Sequence, residues 1–304
     1  MQFGPWSNFR LERIGSGTLA ARGREVVSLL RKRGVASPPE NRLERAIRLT
    51  EQTNDGNVLI RADDPQTAAR VLEAFRTLVE AFTVVWTLVE RVRGVNPFPS
   101  ERLAYLLQGA DLPTEDANPK ARNTQFELLV GATLVMGDAD ILPEEPDYRL
   151  LYHGEYVGVA VKRLTSTKPN TLWGHLRDAS HQIVAHGGKG FVAIGLDSWV
   201  SDLDAEDVEE VGRKFNEQLQ EAHAQLQKAS ERQALLGALI FANWSRWAFD
   251  GAKPTIDWRA PTQLIAFTDT AQELGRVKDF YEPLRARYEA SMAEMGKLLR
   301  PSQP

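Results

Sequence analysis

The chain has 304 residues, 42% of them apolar and 26% charged, a globular rather than disordered composition long enough for one large domain or two ordinary ones. A formal net charge of −4 gives no overall attraction for nucleic acid, so any such site must be a local basic patch. The lack of cysteine excludes disulfides and zinc–thiolate centres. The N-terminus MQFGPWSNFR has no charged-then-apolar layout of a signal peptide, and the most apolar run, 78–89, is broken by Glu80 and too short to span a bilayer. The expectation is a soluble cytoplasmic protein with no membrane partner.

Residues 1–116 read as a mostly helical region. A basic helix covers about 18–33, with Gly34 as its stop. Asp63-Asp64-Pro65 then supplies an N-cap aspartate and a proline at the first helical position. Behind it Val71, Leu72, Phe75, Leu78, Val79, Phe82, Trp86, Val89 and Val92 recur at steps of three and four, which predicts a long packing helix ended by Gly94 and 96–99. A short helix from Ser100 buries Leu103, Leu106 and Leu107. Ten basic residues between Arg10 and Arg48 face four glutamates, an excess suited to phosphate contact or to a solvated helix face. This region is therefore expected to bind a partner or nucleic acid.

The polar stretch 111–120 (DLPTEDANPK) marks a candidate boundary, with a second domain over 117–304. Here helices and strands alternate: a helix from about 123 to 137, two short strands within 141–166, and a helix over about 171–185. A buried strand at 191–196, a helix at 205–229, strand-like runs at 235–243 and 263–268, and a last helix at 272–299 follow. This order argues a mixed sheet flanked by helices. The two long amphipathic helices could pack within the chain or mediate a protein partner or homo-oligomer.

Chemistry concentrates in 141–166. Pro146-Asp147 precedes the first strand, although an aspartate after proline also suits a turn cap. Ala160-Val161-Lys162 closes the second. With a period of two, Gly158, Ala160 and Lys162 share one face and Val157, Val159 and Val161 the other, and the valine face is expected to be core. Upstream, Glu127 interrupts the apolar side of its helix, where an unpaired carboxylate would be costly. Downstream, Gln182 lies on the next helix, ahead of the apolar strand 190–194.

This order resembles the PD-(D/E)XK nuclease superfamily over about 80 residues, 122–199. The resemblance implies a restriction-endonuclease-like fold, an α/β (α+β) mixed sheet with an N-terminal helical region added. It implies Asp147 as the central metal-binding aspartate, Lys162 as the catalytic lysine and Glu127 as a helical metal-binding glutamate. The Val161 carbonyl would be a further ligand and Gln182 a glutamine near the substrate. Arg163, Thr165, Ser166 and Lys168 would bind the nucleic-acid backbone, DNA ahead of RNA. The cofactor would be Mg2+ or Mn2+, which binds the scissile phosphate and acidifies the attacking water. The implied activity is endonucleolytic hydrolysis in restriction, repair or phage defence, with defence the expectation.

The departure is Ala160, where the family has Glu or Asp. Three explanations stay open. The carboxylate has moved, with Glu127 the natural substitute ahead of Asp138, Asp140 and Glu155. The domain has decayed into one that binds nucleic acid or serves an assembly without cutting. Or the residue was substituted deliberately. His175, His181 and His186 lack the four-residue spacing of a helical zinc pair, and Asn243-Trp244-Ser245-Arg246-Trp247 offers two indoles for base stacking.

Overall fold

The computed structural model describes residues 2–3, 7, 10–11, 14–54, 64–91, 98–166, 168–186, 188–196, 208–226, 234–250, 253–268 and 270–300. It is a mixed α/β fold with an N-terminal helical region and a mixed β-sheet flanked by helices. Two compact units interleave along the chain. The sheet unit takes 1–9, 133–244 and 260–289, and the helical unit takes 10–132, 245–259 and 290–304. The expected boundary at 116/117 thus falls inside the helical unit.

The helical unit begins with a two-residue strand, β2 (Arg10–Leu11), after β1 (Gln2–Phe3) of the sheet unit. Helices α1 (Ser16–Lys32), α2 (Arg42–Asn54) and α3 (Pro65–Val85) then pack on one another. Asp64 caps α3 as its sequence requires: its carboxylate accepts the Thr67 N–H at 3.1 Å, and Pro65 occupies the first turn. The helix continues as a π-helical segment over Trp86–Arg91, and its expected stop at 92–97 lies outside the described residues. The three helices approach closely at Gly23, where a Cβ would come within 2.7 Å of Ile47 and 2.9 Å of Leu78. After α4 (Ser100–Leu103) and a 3-10 turn over Ala104–Leu107, α5 spans Lys120–Met136.

The stretch 111–120 is fastened rather than free. Arg45 binds Asp111 at 2.7 Å, and Arg70 holds both Asp111 and Glu115. Arg122 binds Asp116 at 2.7 Å, and the Asp116 carboxylate accepts the Ala110 N–H at 2.6 Å. Polarity and a proline, which read as a linker, here serve an ion-paired turn.

The sheet unit carries β3 (Ile141–Leu142), β4 (Tyr148–Tyr152), β5 (Glu155–Arg163), α6 (Pro169–Ala185) and β6 (Gly190–Gly195). Then come α7 (Val208–Leu226), β7 (Leu235–Phe241), β10 (Thr262–Ala266) and α8 (Ala271–Leu299), the last passing into the other unit at 290. The seven strands run in the order β1-β10-β7-β6-β5-β4-β3. β3, β4 and β5 form an antiparallel meander, β5, β6 and β7 are parallel, and β10 returns antiparallel. Between β7 and β10, β8 (Trp244–Asp250) and β9 (Lys253–Arg259) leave to form a three-stranded sheet with β2.

Register explains which side chains share a face. Ala160, Val192 and Ala238 lie in one row and Lys162, Ile194 and Ile240 in the next. That face is buried under α6 and α7 through Leu172, Leu176, Ala179, Ile183, Phe215 and Leu219. On the other face Phe191 stacks on Phe280 of α8, with Tyr152 edge-on to both. Both faces of β5 are therefore core, whereas the alternation had pointed only to the valine face. A parallel strand covered on two sides is apolar on two sides. The stripes of α7 and α8 expected to pack within or between chains are buried within this one, through Phe215, Leu219 and Ala222, and through Val277, Leu284, Tyr288, Met292 and Met295.

Two glycines set the spacing of the strands beside the site. A Cβ on Gly190 would lie 2.0 Å from the Gly158 carbonyl oxygen, so β5 and β6 meet here only without a side chain. A Cβ on Gly158 would press on the Pro146 ring at 3.1 Å, which covers it from the end of the neighbouring strand.

Candidate functional site

The site is built where β4 begins and β5 ends. Tyr148 pairs with Val159, so two residues further the same register would set residue 146 against Val161. Pro146 lacks an N–H and the chain turns away there. The Asp147 carboxylate takes over, accepting the Val161 N–H at 2.7 Å. Asp147 is thus both the cap of the ladder and a half-buried carboxylate at its open end. One residue on, the half-buried Lys162 donates to Gln182 Oε1 at 2.7 Å, an amide delivered by α6. The structure places Asp147, Lys162 and Gln182 around one strand end, through the Val161 N–H and the Lys162–Gln182 hydrogen bond.

Ala160 is fully buried among Leu172, Leu176, Ala179, Ile183 and Val192, without solvent at its methyl group. A carboxylate here would be desolvated, which favours its neutral form or expels it. Position 160 behaves as core in this chain, and the methyl group is what the packing accommodates.

Glu127 belongs to the helical unit. It is ion-paired with Arg102 at 2.5 Å, which supplies the partner its apolar surroundings demand. Arg163 is half-buried at the end of β5, Thr165 and Lys168 are exposed, and the Ser166 hydroxyl accepts the Lys168 N–H at 3.1 Å. Arg163 thus ends β5, and Thr165, Ser166 and Lys168 follow it beyond the buried Leu164. The other stacking candidates are less suited: Trp244 packs against the apolar cluster, and the Trp247 side chain lies outside the described residues. Among the described residues no group of three or more His, Asp or Glu side chains is placed to hold a metal ion.

One residue was weighed only as a zinc ligand. His175, half-buried on α6, has its pKa pushed below the ordinary value, first by burial and then by the Lys162 charge, with Asp178 opposing. Its spacing from Gln182 was the available signal: seven residues, two helical turns.

The N-terminal arginines expected to contact phosphate are largely paired. Arg22 binds Glu25, Arg24 binds Glu51, Arg31 binds Glu44, and Arg48 lies 3.8 Å from Glu40. A solvated, self-compensated face accounts for this pattern. Deeper in the same unit Arg42, Arg76 and Arg122 converge on Glu73. Burial works to raise Glu73, but those three guanidiniums outweigh it and hold the carboxyl below its usual range. Burial and the neighbouring Arg122 lower Arg42 to about 10.

No family model, curated protein or solved structure matches the chain. Among the described residues no helix is long and apolar enough to cross a membrane.

Proposed function

We propose that the chain is a metal-dependent nuclease of the PD-(D/E)XK type, hydrolysing phosphodiester bonds of DNA in a restriction or defence setting. The observation that carries this reading is the strand-end arrangement: the Asp147 carboxylate on the Val161 N–H, and the Lys162 ammonium one residue away, held by Gln182. The element order supports it as well. A helix, a three-stranded meander, a helix and a parallel strand follow one another as α5, β3-β4-β5, α6 and β6, the order the resemblance implies.

The donor chemistry fits a hard cation. Asp147 and the Val161 carbonyl offer oxygens, and magnesium keeps several waters while asking one or two carboxylates of the protein. Such an ion supplies charge neutralisation and a more acidic water. Lys162 would lie beside the scissile phosphate and stabilise the charge that builds on it. Gln182, a neutral partner, orients that ammonium without cancelling it. Arg163, Thr165, Ser166 and Lys168 position the adjoining backbone.

A second reading, a nuclease-like domain that binds without cutting, draws on the burial of Ala160 in an apolar cluster. Cleavage of plasmid, linear DNA and RNA with magnesium or manganese separates the two. The nuclease reading expects the chain to cut and expects Asp147→Ala and Lys162→Met to lose about 10²–10³ in rate. Glu127→Gln measures whether that carboxylate takes part. If nothing is cut, yet DNA binds and Lys162→Met weakens that binding, the second reading replaces the first.

A further inference from the structure

Between the 3-10 turn over Ala104–Leu107 and the start of α5, the helical unit holds an open cleft of about 410 Å³. Tyr105 and residues 108–110 line one side, residues 115–118 the other, and Lys120 and Ala121 of α5 close it. The volume is that of a small-molecule pocket and far exceeds the room one water needs.

The polar groups around this cleft are unevenly spent. The Tyr105 and Gln108 carbonyls accept from the Gln125 amide at 2.6 and 3.0 Å, the Gly109 carbonyl accepts from Arg45 at 3.0 Å, and the Ala110 carbonyl accepts from Arg122 at 2.9 Å. The carboxylates are taken as well, Glu115 by Arg70, and Asp116 by Arg122 and the Ala110 N–H. What remains is donors. Lys120 is exposed and has no ion pair among the described residues. Its ammonium lies 5.4 Å from the centre of the Tyr105 ring, which orients the charge without neutralising it. The Asn118 Oδ1 accepts the Lys120 N–H at 2.8 Å, which leaves the NH2 of that amide without a partner among the described residues. The dipole of α5, which begins here, adds to the positive potential. A cleft whose acceptors are consumed and whose remaining charge is an ammonium suits an acceptor-rich anion. Tyr105, Ala110, Ala117 and Ala121 give it an apolar side too large for an inorganic ion alone.

We propose that this cleft binds a phosphomonoester of mononucleotide size, with the phosphate on Lys120 and the Asn118 amide and the organic part along Tyr105 and the alanines. Phosphate oxygens accept from both donors, and the bond from the ammonium is charge-assisted. The site lies wholly within the helical unit, so the proposal stands apart from the nuclease reading.

Calorimetric titration of the full chain with AMP, adenosine, inorganic phosphate and a 5′-phosphorylated oligonucleotide tests it, with amide shifts in NMR locating the site. AMP should bind saturably and shift the amides of 105–121, and adenosine should bind about 10-fold more weakly or less. Lys120→Ala should weaken AMP about 10-fold, the loss of one charge-assisted hydrogen bond. Ala117→Glu, which brings an unpaired carboxylate to the exposed wall, should abolish binding. Both positions are exposed, so both melting curves should be unchanged. No binding of AMP, or binding that ignores both substitutions, would overturn the site. Adenosine bound as tightly as AMP would overturn the anion, and inorganic phosphate bound as tightly as AMP would overturn the nucleotide-sized ligand. An oligonucleotide bound far more tightly than AMP would overturn the small molecule in favour of a nucleic-acid end.

Discussion

Two polar assemblies in this molecule use similar residues and dispose of charge in opposite ways. In the helical unit each buried guanidinium has a carboxylate: Arg42 and Arg122 on Glu73, Arg122 again on Asp116, Arg76 on Glu73 and Glu80. Hydrogen bonds from Arg42 to Thr77 and Gln125 complete the network. In the sheet unit Lys162 donates to the Gln182 amide oxygen and lies on a face that is otherwise apolar. The first assembly is closed, its charge consumed internally. The second leaves a positive charge oriented by an amide at a strand end, with no carboxylate ion-paired to it among the described residues. That difference separates a structural lock from a candidate site more sharply than the number of ionisable groups does, because a ligand can use only charge the protein has not already used.

The comparison breaks first at Glu73. Glu73→Ala strands Arg42 and Arg122 in the interior and should cost about 3–5 kcal/mol, read as a lower denaturation midpoint. Its pH dependence has a fixed sign. The folded pKa lies below the ordinary 4.5, so the stabilisation is complete above that value and is lost as pH falls through the lower one. Acid unfolding of the unmodified chain should carry this component, and Glu73→Gln should lack it.

Ala160→Glu comes next. It forces a carboxylate among Leu172, Leu176 and Ile183 and should cost about 3 kcal/mol in urea unfolding. Native stability together with a gain in cleavage would mean that position 160 faces the site and not the core. Asp147→Asn is expected to be milder. Losing the charge on the Val161 N–H costs about 1–2 kcal/mol by the same measurement, yet cleavage should fall to background. Lys162→Met should show the least effect on folding, within about 0.5 kcal/mol, while its rate falls about 10²–10³. Equal losses of stability at Lys162 and Glu73 would erase the distinction between the assemblies.

Much of this architecture was legible in the letters. Asp64-Pro65 announced α3, the 3–4 periodicity announced its buried stripe, and the apolar run at 190–194 announced a strand that proves buried on both faces. The hairpin of β8 and β9 was missed although Asp250-Gly251 stands between two alternating runs, a common two-residue turn signal. Attention to the indoles at 244 and 247 obscured it. Helix α2 was missed because seven of its thirteen residues are charged or amide-bearing, and its buried apolar residues Leu43, Ala46 and Ile47 make a narrow stripe.

The sequence by itself determined the order of elements and the choice of chemistry-bearing residues, since local periodicity, caps and turn residues act over a few positions. Tertiary structure alone decided three things. Cross-strand register placed the Asp147 carboxylate on the Val161 N–H, α6 brought Gln182 to Lys162, and the packing of α6 and α7 made Ala160 core. Each depends on which segment lies over which, and burial and pairing at that range are not encoded in any short window. The polar stretch 111–120 makes the same point from the other side. Its composition reads as a linker until Arg45, Arg70 and Arg122, distant in sequence, arrive to hold it.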